Sequence, residues 1–453
     1  MRVRRMFAVW AAKFTEKICV HVFRRQGVTW AGKIALLICP AVLKELAEEV
    51  RERVFVVCGT NGKTTVNNLL CAALEAEGYR VLCNRTGSNM LNGVAAAFAL
   101  GAEMNGKMDV DYACIEIDEA STREVFAHFK PDYMVLTNLF RDQLDRYGEI
   151  DAAMDILGRV MRSAKEMKII VNGDDPLSVF LAMDSGNDFR AYGISERIYA
   201  EDETKEIREG RFCRHCGAQL SYRFYHYGQL GDYICPRCGF RRPGIQFEGK
   251  NVEIGDGIGF SVDGRSFRSP HKGFYNVYNI LAVYAAVRTA GIEAGNFQEM
   301  LNGFRPENGR MEEFWAGDTR IILNLAKNPT GFNQNINVIM QDTSPKELVV
   351  AINDNDQDGA DISWLWDVDF ERLGGMEAGC VTASGIRCRD LMLRLKYAGI
   401  PAEMEPDVEK AVRRYIEKGS GSLYVLVNYT ALFGTRNMLK RMCRRTKLKY
   451  SGG

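Results

Sequence analysis

Long apolar runs are missing from this 453-residue chain. The best candidate, residues 34–42, is interrupted by Pro40 and falls well short of the roughly 20 residues that a membrane-spanning helix needs. A charge bias is missing as well, since the formal net charge is +1. A near-neutral chain has no overall attraction to nucleic acid or to an anionic membrane. We therefore predict no transmembrane segment and no nucleic-acid partner.

A disulfide framework is also missing, although the chain has thirteen Cys. Nine of them are scattered, and many lie inside apolar runs, where Cys behaves as a small hydrophobic residue. This usage is typical of a reducing compartment and favours a cytoplasmic protein.

The other four Cys are organised as two pairs. Cys213-x-x-Cys216 and Cys235-x-x-Cys238 are separated by 18 residues, and a Gly follows each pair. This spacing is typical of a tetrahedral Zn²⁺ site, and the aromatic, β-prone linker between the pairs indicates a zinc ribbon. Four thiolates leave no open coordination position, so we expect a structural rather than a catalytic Zn²⁺.

A phosphate-binding loop is the most informative motif that is present. An apolar, strand-like segment leads into the run Gly59-Thr60-Asn61-Gly62-Lys63-Thr64-Thr65, and a helical pattern follows. Gly residues let the backbone approach phosphate closely, the Lys side chain balances phosphate charge, and the Thr64 hydroxyl suits Mg²⁺. We expect Lys63 to be a solvated loop side chain. A Gly-rich loop that only turns the chain is the alternative.

Alternating strand and helix patterns surround this loop and predict a mostly parallel sheet covered on both faces. Residues 201–243, which include the Cys pairs, interrupt the alternation, and a second α/β region follows a helix-rich stretch. We expect a basic helical segment at 1–45, a central ATP-binding domain at 46–315 with a zinc-ribbon insertion at about 205–245, and a C-terminal α/β domain at 316–453. The N-terminal helix should pack against its own domain; contact with an anionic membrane surface is the alternative.

Polar groups follow three of the predicted strands. They are Glu116, Asp118 and Glu119; Thr137 and Asn138 with Asp142 and Asp145; and Asn172, Asp174 and Asp175. Parallel strands bring such groups to one edge of the sheet, where ligands bind. A carboxylate at that edge can hold the Mg²⁺ of a nucleotide.

These motifs, in this order and spacing, resemble the Mur ligases. The resemblance also includes Asn276-x-x-Asn279 and Gly309-Arg310. Those enzymes join an amine to a carboxylate through an acyl phosphate made from ATP. The resemblance implies that Lys63 and Thr64 hold phosphate and Mg²⁺, and that Glu116 is a metal ligand. It also implies that Asn276, Asn279 and Arg310 surround the nucleotide.

The chain departs from the Mur pattern at three places. Gln143 stands where the family has His, and residues 157–159 lack the Lys that becomes carbamoylated. The run from Asn324 to Pro329 replaces Asp-x-Ala-His-x-Pro. These departures disfavour the family's usual addition of an amino acid.

The departures, the zinc ribbon and the acidic run at residues 352–367 together resemble one branch, the MurT subunits of lipid II isoglutaminyl synthase. That resemblance implies ATP-dependent amidation of the D-glutamate α-carboxylate in the lipid II stem peptide. We expect a cytoplasmic protein, with a peripheral position at the inner face of the membrane as the alternative. Ammonia would come from a GatD-type glutaminase in a heterodimer. Asp361 would complete the Cys-His pair of that partner, with Asp358 as the second candidate.

Other interpretations of the acidic run and of the whole chain stay open. The run could be a capped loop, whereas a Ca²⁺ loop is disfavoured because Leu365 stands where the twelfth-position Glu should be. The chain could also be a ligase that adds an amino acid, as folylpolyglutamate synthase does, or a zinc-ribbon nucleic-acid binder.

Overall fold

The computed structural model describes most of the chain. It covers residues 2–21, 27–85, 87–141, 150–199, 206, 208–305, 309–376, 380–418 and 421–450, without the side chains of residues 20–21 and 444–450. The described residues form two compact units. The first comprises those within 1–140, 150–202 and 208–304, and the second comprises those within 305–453 together with Arg141 and Glu206.

Helices and strands alternate along both units. The helices α1 to α14 are Arg2–His21, Val28–Ile38, Val42–Ala47, Lys63–Ala76, Leu91–Gly101, Thr122–Val125, Ile150–Ser163, Pro176–Ser185, Tyr275–Thr289, Phe297–Gly303, Pro329–Gln341, Cys388–Tyr397, Val408–Lys418 and Tyr429–Tyr450. The strands β1 to β17 are Arg53–Cys58, Val81–Cys83, Tyr112–Glu116, Tyr133–Leu136, Lys168–Asn172, Phe189–Ile194, Ser221–Tyr227, Leu230–Ile234, Phe247–Ile254, Ile258–Val262, Arg265–Ser269, Glu312–Ala316, Thr319–Leu325, Lys346–Ala351, Val381–Ser384, Ala402–Met404 and Ser422–Val427. Short 3-10 helices lie at Glu209–Arg211, Ser363–Asp367 and Phe370–Gly375.

The first unit is built on a nine-stranded sheet in the order β11-β10-β9-β6-β5-β4-β1-β3-β2. Neighbouring strands in the part β9-β6-β5-β4-β1-β3-β2 of this order pair in parallel. Strand β10 pairs antiparallel with both β9 and β11. Alternate residues of β1 enter two different cores: Val54 and Val56 pack on one face, and Phe55 and Val57 on the other. A strand buried on both faces needs this near-continuous apolar sequence.

The second unit contains a six-stranded sheet in the order β12-β13-β17-β14-β15-β16. Only the edge strand β12 is antiparallel to its neighbour among the described strands. Strand β12 ends at the boundary expected near residue 316, yet it pairs with β13 inside the C-terminal sheet. The continuous part of the second unit accordingly starts at Arg305. The predicted α/β architecture, with its C-terminal domain, is confirmed.

The insertion between β6 and β9 is a small module with its own hairpin. Strands β7 and β8 pair antiparallel, as the aromatic linker predicted. The Cys pairs lie at the ends of this hairpin, before β7 and after β8. The module belongs to the first unit and packs its aromatic residues into that unit's cores.

Candidate active site

The phosphate-binding loop connects β1 to α4. Gly59 and Gly62 have φ values of 121° and 86°, in the region that favours glycine. A Cβ on Gly59 would collide with Thr137, and one on Gly62 would collide with Asn279. The loop therefore needs both glycines, and it leads into the N-terminus of α4. The first N–H groups of a helix have no intrahelical partner and are suited to phosphate.

The segment after β4 braces this loop. The Thr60 N–H donates to the Asn138 carbonyl over 2.8 Å, and the Asn61 N–H donates to Oδ1 of Asn138 over 2.9 Å. Oγ1 of Thr137 donates to the Asn61 carbonyl over 2.8 Å. The Thr60 hydroxyl donates to the Phe140 carbonyl and accepts from its N–H, both over 2.9 Å. Thr137 and Asn138 thus stabilise the conformation of the loop.

Lys63 is buried, which contradicts the expectation of a solvated loop side chain. Its ammonium group donates to the Gly59 carbonyl and lies 2.9 Å from Oε1 of Glu119. Burial alone lowers the pKa of Lys63, but the charges of Glu119, Asp118 and Glu116 outweigh burial and raise it above its usual value. The Gly59 N–H also donates to the same Glu119 oxygen, over 2.9 Å. Lys63 is held as a cation by a neighbouring carboxylate, which sequence reasoning could not foresee.

Glu116 supplies an oxygen that is suited to a cation. Its Oε1 accepts from the Asn89 side chain over 2.9 Å, whereas its buried Oε2 has no hydrogen-bond partner among the described residues. Both Oε2 and the Thr64 hydroxyl lie 3.6 Å from the position that a Cβ on Gly87 would take. Hard cations such as Mg²⁺ prefer oxygen ligands of this kind. The pair fits a Mg²⁺ site beside the phosphate loop.

The remaining predicted nucleotide residues divide between the two units. Nδ2 of Asn276 donates to the Lys272 carbonyl over 2.7 Å, and Nδ2 of Asn279 donates to Oδ1 of Asn276 over 3.0 Å. Asn279 of this linked pair, at the start of α9, lies against Gly62. Thr65 is half-buried in the first turn of α4. Arg310 is half-buried in the second unit, before β12.

Asp174 and Asp175 reach the predicted sheet edge, but their carboxylates are engaged in structural hydrogen bonds. Oδ1 of Asp174 accepts from Arg242 and Oδ2 from Tyr278, both over 2.6 Å. Asp175 caps α8, accepts from the Leu139 N–H over 2.8 Å, and is also bonded by Gln229. Burial raises the pKa of Asp175. Asp142, Gln143 and Asp145 lie outside the described residues.

The zinc-ribbon hairpin contacts the brace of the phosphate loop. Nε2 of Gln229, between β7 and β8, donates to the Leu139 carbonyl. The rings of Tyr227 and Phe140 stack with centroids 6.0 Å apart. Because Phe140 exchanges two hydrogen bonds with Thr60, the ring stack of Tyr227 on Phe140 connects the ribbon to the phosphate loop.

The four organised Cys lie together at the base of that hairpin. Their sulfur atoms all lie within 4.8 Å of one another. The N–H groups of Gly217 and Gly239 bond back to the carbonyls of Cys213 and Cys235 over 2.8 and 3.0 Å, which closes a tight turn at each pair. The donor set and its compactness fit a Cys₄ zinc site.

The acidic run of the second unit separates its two candidate Asp residues. Asp358 is buried and accepts from both the N–H and the hydroxyl of Thr430, at the start of α14. Burial raises the pKa of Asp358. Asp361 is only half-buried, and the Ser363 N–H, which donates to it over 2.8 Å, lowers its pKa. Asp358 therefore anchors the loop, whereas Asp361 is an accessible, ionised carboxylate.

An exposed aromatic pair includes Trp366, which follows Asp361 in the same segment of the chain. The ring of Trp366 lies edge-on to that of Tyr397, with centroids 5.5 Å apart, and both are largely exposed. Leu393 on α12 is also exposed. Trp364, by contrast, packs on Phe332 inside the unit. Exposed aromatic clusters of this kind are typical of protein interfaces.

The Asn residues that replace the Mur motif are part of the framework. Oδ1 of Asn324 accepts from the Met311 N–H over 3.0 Å, and its amide bonds to Asn335. Asn328 caps α11 by accepting from the Gly331 N–H over 2.8 Å.

The chain is similar to the Mur ligases in both sequence profile and fold. A family profile described as the Mur ligase middle domain matches residues 57–231, and one described as the MurT ligase C-terminal domain matches residues 325–432. A pseudomurein peptide ligase type C from Methanothermus fervidus shares the fold, with a TM-score of 0.68 and 21% identity over 88% of this chain and 80% of that chain. MurF from Acinetobacter baumannii does so with a TM-score of 0.63 and 15% identity over 91% and 80%. Fold and phosphate loop define a Mur-type ligase.

Two relatives that match nearly the whole chain are both MurT subunits. The MurT subunit of lipid II isoglutaminyl synthase from Staphylococcus aureus strain N315 is 35% identical over 97% of this chain and 98% of its own. The MurT subunit from Streptococcus pneumoniae strain ATCC BAA-255 / R6 is 33% identical over 91% and 92%. The chain therefore belongs to the MurT family of Mur-type ligases, and the resemblance seen in the sequence is confirmed.

Proposed function

We propose that this chain is the ligase subunit of a glutamine-dependent amidating enzyme of peptidoglycan synthesis. Its reaction is the ATP-dependent conversion of the D-glutamate α-carboxylate of the lipid II stem peptide to D-isoglutamine. The similarity of the whole chain to two MurT subunits carries this proposal. The buried Lys63 beside the phosphate loop and the accessible Asp361 in the second unit support it.

The chemistry begins at the phosphate loop. The substrate carboxylate attacks the γ-phosphorus of ATP, and ADP leaves, so that an acyl phosphate forms. Ammonia then attacks the acyl carbon, phosphate leaves, and a proton is lost from nitrogen to give the amide. Lys63 and the N–H groups in the first turn of α4 balance the charge that develops on phosphate. Thr64 and Glu116 are suited to hold the Mg²⁺ that accompanies ATP. Asn279 lies against the loop and is hydrogen-bonded to Asn276.

Ammonia is supplied by a GatD-type glutaminase subunit. A glutaminase Cys acts as a thiolate beside a His, and that His needs a carboxylate to fix its tautomer and to stabilise its positive charge. We assign that carboxylate to Asp361. The choice over Asp358 rests on the two hydrogen bonds from Thr430 that already engage Asp358. The exposed ring pair of Trp366 and Tyr397 in the same unit supports a partner surface there.

The function is tested by incubating the chain, its glutaminase, ATP, glutamine and lipid II, and then measuring the mass of the stem peptide. Amidation replaces OH by NH₂ and lowers the mass slightly. An amino-acid-adding ligase would instead raise the mass by a whole residue, and a nucleic-acid binder would leave it unchanged. Either of these results would overturn the proposal.

Loss of one Cys from the cluster is expected to release the proposed structural zinc and so to destabilise the ribbon. The wild-type chain should hold about one Zn²⁺, and Cys213→Ser should lose it, because structural zinc binding supplies folding free energy. Metal analysis by mass spectrometry checks this result, with Cys443→Ser as a control outside the cluster. A wild-type chain free of zinc, or a Cys213→Ser variant that retains it, would contradict the ribbon site.

The Mg²⁺ requirement is expected to depend on Glu116. Glu116→Gln keeps the side-chain shape but removes the charge, so the Mg²⁺ concentration for half-maximal ATP turnover should rise at least about 10–100-fold, the range found when even an outer partner of a metal ligand is lost. Mg²⁺ titrations of the wild type and of Glu124→Gln, an exposed glutamate on α6, provide the comparison. Equal Mg²⁺ dependence in all three would remove Glu116 from the metal site.

A further inference from the structure

Helix α1 has two apolar stripes, and only one of them is used by the fold. Ala8, Val9 and Ala12 are fully buried in the core of the first unit. Arg5, on the same side, is buried in an ion pair with Glu49 over 2.8 Å. The inward face thus consists mainly of small side chains, which let α1 pack closely on α2 and α5.

The large apolar side chains of α1 face outward. Val3, Phe7, Trp10 and Phe14 follow one another at spacings of four, three and four residues, which places them on one stripe of a helix. Phe7 and Phe14 are 52% and 66% exposed. Burying these rings against the domain would have been favourable, so their outward position requires another explanation.

The outward stripe is continuous with a groove on the same unit. Nε1 of Trp10 donates to the Met104 carbonyl over 2.6 Å, and the ring of Phe7 lies edge-on to that of Trp10 with centroids 5.5 Å apart. Leu100 and Ile38 line the groove beside them. The hydrogen bond fixes Trp10 in place, so the aromatic surface is preformed. We call this surface, made of Phe7, Trp10, Phe14 and Met104, the α1 face.

The charges on α1 are almost all positive. The helix carries five Arg and Lys residues and one Glu, and of these Arg2, Arg4 and Lys17 are exposed. Lys13 beside the groove donates to the Leu100 carbonyl over 2.7 Å. The partial burial of Lys13 and the nearby positive charge of Lys17 both lower the pKa of Lys13. Within the described part of the chain, no helix combines the length and the apolar character that crossing a bilayer requires.

We propose that the α1 face docks this chain on an anionic lipid surface. A cationic helix with an exposed aromatic stripe is the form in which helices lie in the plane of a bilayer interface. Trp favours that interface because its ring is apolar and its N–H is polar. Charge complementarity selects anionic lipid over a neutral surface. The proposal goes beyond amidation and is measured as binding, so it can fail independently of the proposed function.

The test is sedimentation of the full-length, zinc-loaded chain with vesicles. Wild-type protein should bind vesicles of phosphatidylcholine mixed with phosphatidylglycerol and should bind pure phosphatidylcholine at least about tenfold more weakly, since each basic residue near an anionic surface adds to the attraction. Phe7→Ser/Phe14→Ser should reduce binding to the mixed vesicles at least about tenfold through lost apolar burial. Arg2→Glu/Lys17→Glu should reduce binding to a similar extent at low salt. At high salt, where charge attraction is screened, this variant and the wild type should bind alike.

Met183→Ser provides the matched control, because Met183 is 50% exposed on α8, far along the chain from the α1 face. It should bind vesicles like the wild type. Absence of vesicle binding by the wild type, equal binding to neutral and anionic vesicles, or unchanged binding by the double Phe variant would each overturn the proposal. Wild-type dimers that Phe7→Ser/Phe14→Ser dissociates, without vesicle binding, would show instead that a second copy covers the face.

Discussion

Asp361→Asn is expected to reduce glutamine-driven amidation by about 10⁴-fold, the loss seen when the orienting Asp of a hydrolase triad becomes Asn. The substitution keeps the shape of the side chain and its ability to accept from Ser363. It removes the charge that would fix the tautomer of a partner His. Complex formation and ATP binding should stay near normal, and high concentrations of ammonium should restore part of the activity, because the ligase site is untouched.

The comparison of glutamine with ammonium as nitrogen donor tests this assignment. Equal losses with both donors would move Asp361 into the ligase site or the fold and would end the shared-triad hypothesis. Asp358→Asn is the matched control in the same loop. Because Asp358 accepts two hydrogen bonds from Thr430, its substitution should lower stability rather than change the donor preference.

Lys63→Ala is expected to reduce ATP turnover by at least about 10²–10³-fold, because a positioned group that balances charge in a transition state is lost. The structure adds a second expected effect. Glu119 would be left buried without its cation, and breaking a buried ion pair costs about 3–5 kcal/mol of stability. Turnover and urea unfolding together measure the two effects.

The double variant Lys63→Ala/Glu119→Gln separates catalysis from stability. It removes the uncompensated charge, so most of the lost stability should return while turnover stays low. Recovery of turnover in the double variant would show that Lys63 acts only by neutralising Glu119. Wild-type turnover in the single variant would remove the phosphate loop from the mechanism.

Local motifs made much of this molecule predictable. The phosphate loop follows from a strand, two glycines and Lys63 within a short run, and the Cys cluster follows from its spacing. The hairpin of the ribbon and the strands β1 to β5, β13, β14 and β17 were predictable because apolar β-prone segments alternate with helical ones. The strands β9 to β11, which complete the first sheet, were not predicted. Each of these signals lies within a few residues of the structure that it determines.

Long-range partners could not be predicted in this way. Asp358 and Asp361 are equivalent in sequence until Thr430, 72 residues away, engages one of them. Asp174 and Asp175 have the sequence of a ligand site, but Arg242, Tyr278 and Gln229 from later elements occupy their oxygens. Lys63 was expected in solvent, yet Glu119 holds it in a buried pair. Burial and hydrogen-bond competition decide such roles, and both depend on tertiary structure.

The loop that carries Asp361 is tied to its own unit by several hydrogen bonds. Besides the Asp358 contacts, the Asn428 side chain accepts from the Asn353 N–H over 3.1 Å, and Arg387 pairs with Asp354 over 2.6 Å. A loop held in this way has little conformational entropy left to lose on association. A glutaminase would then bind a preformed surface. The two subunits should assemble by rigid-body docking with a fast on-rate rather than by folding upon binding.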